Sequence, residues 1–149
     1  MRNKKPVQVE YKTLVVIWAG LLISQLVFMG LVYVVRPELF VADNAPAPLG
    51  DQPLVVLVFA VAALALLALS FVLRRQHLAR AVVDQDASCV QTGLVLGCVL
   101  SEGCSLLGVI LALAFEYRYF YFWILLGILG ILFHFPRRGN LFAARFKKM

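Results

Sequence analysis

GLVLGCVLSEGCSLLGVILAL, residues 93–113, is an apolar run dotted with small residues and carrying one carboxylate, Glu102, at its centre. As a helix rising ~1.5 Å per residue it covers the roughly 30 Å of a bilayer's hydrocarbon. Backbone N–H and C=O groups in lipid must pair within their own segment, so a run of this kind is a helix rather than a strand. Working outward from it, the apolar pattern extends to Thr92–Phe115. Three more runs follow the same pattern: Leu14–Val35, Pro53–Leu73 and Tyr119–Phe135, the last near the short limit for a span. The sequence therefore predicts an all-α membrane protein, an antiparallel bundle of four transmembrane helices forming a single domain over residues 1–149, with no soluble domain.

Composition agrees. Of the 149 residues 62% are hydrophobic and only 15% charged, and the mean hydropathy is +0.89. Those values exclude a soluble globular domain and a disordered chain alike. The first run is too long for the apolar part of a secretory signal. Its only A-x-A match, Ala45-Pro46-Ala47, lies ten residues beyond it and precedes Pro48, so it reads as an uncleaved span. Twelve of the Lys and Arg residues lie in the N-terminal segment, the loop between spans two and three, and the C-terminal tail; only Arg36 and Arg118 lie in the other two connections. This positive-inside bias predicts cytoplasmic termini and a multi-pass protein of the cell membrane, in bacteria the inner membrane. The net charge of +6 is accounted for by topology and attraction to anionic lipid, without a nucleic-acid partner.

The connection RPELFVADNAPAPLGDQ is rich in proline, which predicts an irregular loop. RRQHLARAVVDQDASC extends the second helix by a turn or two before a break near Asp84-Gln85-Asp86. Only Glu116-Tyr117-Arg118 separate spans three and four, which are therefore adjacent and antiparallel. Phe115, Tyr117, Tyr119, Phe120, Tyr121, Phe122 and Trp123 around that turn read as an interfacial aromatic belt.

Reactive sets are not in evidence. Cys89, Cys98 and Cys104 form no C-x-x-C pair, and Cys98 and Cys104 are about 9 Å apart along one helix, beyond disulfide reach. They read as small buried hydrophobes. His77 and His134 are isolated residues near the cytoplasmic boundary, explained by snorkelling or interfacial hydrogen bonding, so no metal or haem site is expected. No phosphate loop, catalytic triad or metalloprotease motif appears. The expectation is a protein without enzymatic activity and without a cofactor.

The third span holds the main features. Gly93, Gly97, Ser101 and Ser105 recur every four residues, and Gly108 and Ala112 continue the stripe. Small residues in line let helix backbones approach closely. Gly127 and Gly130 offer span four a smaller notch, so a close hairpin of spans three and four is expected, with part of the stripe left for a homo-oligomer or a membrane-protein partner. Glu102 stands beside the stripe. Counting from the ends of each span, the bilayer midplane holds Glu102, Ser101, Ser24 and Gln25, and Ser24 or Gln25 is the expected hydrogen-bond partner. A charged acid at that depth costs ~2.5–3.5 kcal/mol or more, so desolvation favours the neutral acid.

Leu100-Ser101-Glu102, then Gly108 and Val109-Ile110-Leu111-Ala112-Leu113, resembles the ion-binding helix of the rotary ATPase proteolipid, the c subunit. There too the carboxylate precedes a Gly by six residues and an Ala by ten. Arg75-Gln76 is similar to the Arg-Gln of that family's cytoplasmic loop. The resemblance covers about fifteen residues. It implies that Glu102 carries a proton or cation, with Ser101 and Ser105 beside it. The second span, PLVVLVFAVAALALLALSFVL, has no glycine, where that family's inner helix is glycine-rich, and two further helices flank the hairpin. The whole chain resembles small four-span bacterial membrane proteins. Two functions follow as expectations. The first is a non-catalytic accessory or assembly subunit of a larger membrane complex. The alternative is proton or cation handling by a candidate site of Glu102, Gln25, Ser24, Ser101 and Ser105.

Overall fold

A computed structural model of the chain describes residues 7–41 and 52–145; the proline-rich loop segment 42–51, residues 1–6 and the basic end of the tail lie outside the described residues. The described chain is helical: α1 (Val7–Val35), a 3-10 turn (Pro37–Phe40), α2 (Pro53–Val83), α3 (Ala87–Phe115), α4 (Tyr121–Phe133) and α5 (Arg138–Arg145). α1, α2 and α3 are long and apolar enough to cross a membrane. α4 has 13 residues, about 20 Å of helix, and is apolar but shorter than a full span.

The helix limits have local causes. Pro53 opens α2, where its missing N–H is no loss. The helix then runs through Arg74–Arg80 to Val83, two turns and more beyond the apolar segment, and breaks where Gln85 takes φ 52°. Asp86 caps α3, its carboxylate accepting from Ser88 N at 2.9 Å and from Ser88 Oγ at 2.8 Å. At the far end Glu116 is left-handed (φ 53°), and Tyr117 N–H closes on Leu111 O at 3.0 Å, a C-terminal closure usually reserved for glycine. Pro136 ends the fourth helical segment, and α5 folds back with Leu141 and Ala144 buried against the bundle.

Two clusters show the direction of each helix. Leu14, Ala81, Val90, Leu141 and Ala144 pack together at one end, while Val32, Val56, Leu111, Phe120 and Ile124 pack at the other. Successive long helices therefore alternate in direction. α3 is the centre of the bundle: α2, α4 and α1 all pack on it. At 100° per residue, the α3 side chains that meet α2 (Gly93, Cys104), α4 (Gly97, Ser101, Gly108) and α1 (Glu102, Ser105) occupy three successive sectors of the helix. A fourth sector remains open. Val99, Leu106 and Ile110 on it are exposed, with Gly103 half-buried at its edge.

The small-residue stripe is taken up within the chain. A Cβ on Gly108 would lie 2.6 Å from Trp123 Cβ and 2.9 Å from Phe120 O, and one on Gly130 would lie 2.7 Å from Ser101 Cβ. A Cβ on Gly97 would run into the His134 ring. Gly93 serves a different neighbour, since its Cβ would lie 2.8 Å from His77 Cβ on α2. Ala112 is fully buried. α2 and α4 of the same chain lie against this stripe, and the α3 surface left uncovered is the opposite, larger-residue face.

Candidate functional site

Side chains from α1 and α3 meet at mid-height. Ser24 Oγ hydrogen-bonds Glu102 Oε1, joining α1 to α3. Ser105 Oγ donates to Gln25 Oε1, a second tie between the same helices one turn further on. Ser105 also lies 3.4 Å from Ile124 O of α4. Gln25 Nε2 reaches Leu21 O at 3.5 Å and Ser24 Oγ at 3.4 Å, both long contacts. Ser101 does not join the set: its hydroxyl turns back to Gly97 O at 2.9 Å while its side chain fills the notch of Gly130.

Burial separates the members. Gln25, Ser101 and Ser105 are buried, at 1%, 0% and 0% exposure; Gln25 and Ser105 satisfy one another, while Ser101 relies on Gly97 O. Glu102 and Ser24 are only half-buried, because the carboxyl stands where the α1 contact of α3 gives way to the open sector. Among the described residues no basic side chain lies within 4.0 Å of Glu102.

Hydrogen counting gives this pair its chemistry. Ser24 Oγ is 2.8 Å from Leu21 O as well as bonded to Glu102, yet a hydroxyl has one hydrogen to donate. With an ionised carboxylate the hydrogen goes to Glu102 and Leu21 O keeps only its contact with Gln25. With a neutral carboxylic acid Glu102 donates to Ser24 Oγ, and Ser24 donates to Leu21 O. The same geometry serves both protonation states through rotation of one hydroxyl.

A second polar group near the start of α3 was invisible to sequence reading. His134, expected at the interface, is fully buried at the C-terminal end of α4. Its Nε2 lies 3.1 Å from Ser70 Oγ of α2, its ring packs edge-on to Phe71, and Gly97 leaves room beneath it. Nδ1 is buried without a partner. Arg74 NH1 and NH2 donate to Phe133 O and Phe135 O at 3.1 Å each, satisfying carbonyls that the end of α4 leaves open. Trp18 Nε1 donates to Ile131 O at 2.8 Å. Together these contacts fasten the short helix to α1, α2 and α3. No local signal marks them, because each partner is more than 30 residues away in sequence. The thiol of Cys104 donates to Ala63 O at 3.2 Å in the same fashion. No group of three potential metal ligands occurs among the described residues.

No family model matches the chain, and neither the curated proteins nor the solved structures compared with it include a match.

Proposed function

We propose that the chain is a small, non-catalytic integral membrane protein, an accessory or assembly subunit that crosses the cell membrane four times with both termini in the cytoplasm. The observation carrying this reading is the open sector of α3. α1 and α2 flank the central helix with no substantial contact between them. The face between them presents exposed Val99, Leu106 and Ile110 with a half-buried carboxyl at its rim. A polar group at the edge of a lipid-facing surface is costly in hydrocarbon, and a helix bringing a hydrogen-bond partner removes that cost. In this reading the midplane lies near Glu102, and α4, with the residues of its flanking turns, makes a short fourth span.

The test is a photoreactive residue placed at Leu106, in the open sector, or at Leu64, exposed on the outer side of α2. In native membranes we expect a discrete protein adduct from position 106 and lipid adducts from position 64. Lipid adducts alone from both positions would refute the assembly role.

The alternative reading, proton or cation handling by Glu102, is favoured by a different observation: Ser24 can serve either protonation state of the carboxyl. The local resemblance to the proteolipid helix points the same way. Glu102→Gln keeps shape and hydrogen bonding but removes titration. Ion-linked activity unchanged in that variant excludes this reading.

A further inference from the structure

The bundle end where α1 begins carries Arg74, Arg75, Arg80, Arg137 and Arg138, and among the described residues none of the five has a carboxylate within 4.0 Å. The fold brings three of these residues to the end of α4. Arg74 is fixed by its two bonds to Phe133 O and Phe135 O. Arg137 follows Phe135 by two residues, so it leaves the chain beside the carbonyls that Arg74 holds. Arg138 is held over the Tyr11 ring of α1, 4.6 Å from its centroid. Like charges gathered this way repel one another unless an anion joins them.

The surroundings indicate which anion. Arg74 directly follows the apolar segment 53–73 of α2, so it stands at headgroup level when that segment fills the hydrocarbon. On the apolar side of the arginines, Phe71, Phe133 and Phe135 are exposed, at 37%, 71% and 43%, and the Phe71 and Phe133 rings lie 6.3 Å apart across the α2–α4 seam. A cationic cluster above an exposed aromatic surface matches a phosphate attached to acyl chains better than a soluble anion, which gains nothing from the aromatic part. We propose that Arg74, Arg137 and Arg138 form a site for the phosphate of an anionic phospholipid, its chains lying along Phe71, Phe133 and Phe135.

The experiment uses the full chain reconstituted in nanodiscs of phosphatidylcholine doped with phosphatidylglycerol, with bound lipid read by native mass spectrometry. Arg137→Gln/Arg138→Gln removes two of the charges and leaves Arg74 to hold α4. Lys12→Gln/Arg80→Gln removes the same charge elsewhere. Each surface arginine contributes about fivefold to anionic-lipid binding. We therefore expect wild type to retain phosphatidylglycerol over phosphatidylcholine, and the first variant to lose roughly 30-fold of that preference with unchanged thermal stability in pure phosphatidylcholine. The control should keep most of it. Absence of a preference in wild type, equal loss in both variants, or equal competition by inorganic phosphate each overturns the proposal. If Arg137→Gln/Arg138→Gln is unstable in phosphatidylcholine, Arg137→Gln alone decides, since among the described residues the Arg137 side chain makes no ring or hydrogen-bond contact that its loss would break; an unchanged preference there also overturns it.

Discussion

Replacing Gly127 by alanine tests the α3–α4 contact where it is closest. A Cβ at that position would run into Ser105 Oγ and come within 2.9 Å of Ser101 O and 3.3 Å of Ser105 Cβ. The hydroxyl can move only by giving up its bond to Gln25, and the backbone oxygen can move only with α3 itself. Overpacking costs about 1–3 kcal/mol, and a lost interhelical hydrogen bond adds about 0.6–1.7 kcal/mol. Against this, alanine gains about 0.8–1 kcal/mol in helix propensity over glycine. The balance is a loss of about 1–4 kcal/mol. Thermal unfolding in a single detergent, followed through Trp18 and Trp123 on α1 and α4, should show a Tm lower by roughly 2–16 °C. Gly20→Ala is the reference, because nothing lies within 4 Å of a Cβ there and its stability should equal or slightly exceed that of wild type. Adding Ser105→Ala to Gly127→Ala should restore part of the loss, leaving the clash with Ser101 O. If Gly127→Ala proves as harmless as Gly20→Ala, the helices are not as close as described.

Further outcomes follow from other contacts. His134→Ala empties a fully buried site above Gly97 and should cost about 2–4 kcal/mol in the same unfolding assay, whereas His134→Phe keeps the volume and should cost less; equal effects would contradict the packing. Glu116→Gly relieves a left-handed residue whose ion pair with Arg36 is exposed, so it should leave stability between unchanged and about 1 kcal/mol higher; a clear loss would mean the ion pair matters more than its exposure allows. Burial raises the phenol of Tyr117, in the turn after α3, above its ordinary value of 10.0. The neutral phenol is thus favoured by folding: its contribution is intact below pH 10 and is lost as pH climbs through the raised value. Tyr117→Phe should flatten that alkaline decline, and an unchanged decline would assign it to other groups.

The long helices were legible because hydropathy and length report them directly, and midplane counting brought Ser24, Gln25 and Glu102 to one level because rise per residue is fixed. The break after Val83 was legible from Asp84-Gln85-Asp86. Less legible were features set by which helix faces which. Gly93 shares the periodicity of Gly97 but meets α2, since a stripe twelve residues long spreads over more of the helix surface than one neighbour covers. The partner of Gln25 is Ser105, a choice made by the rotation of α1 against α3. His134 reads as interfacial because it lies at the end of the apolar run Tyr119–Phe135, yet the shortness of α4 and the turn at Pro136 place it inside. α5 escaped notice because its eight residues include three arginine, glycine or asparagine positions in the first turn and only Leu141 and Ala144 face inward.

Both functional readings meet at the Glu102–Ser24 contact, and isotope-edited infrared spectroscopy of the chain in lipid, with labelled glutamate carboxyls, observes it directly. We expect the carboxyl band of Glu102, identified by its absence in Glu102→Gln, to shift in Ser24→Ala. A Glu102 band that Ser24→Ala leaves in place would contradict a carboxyl held by Ser24 at the rim of the open helix face.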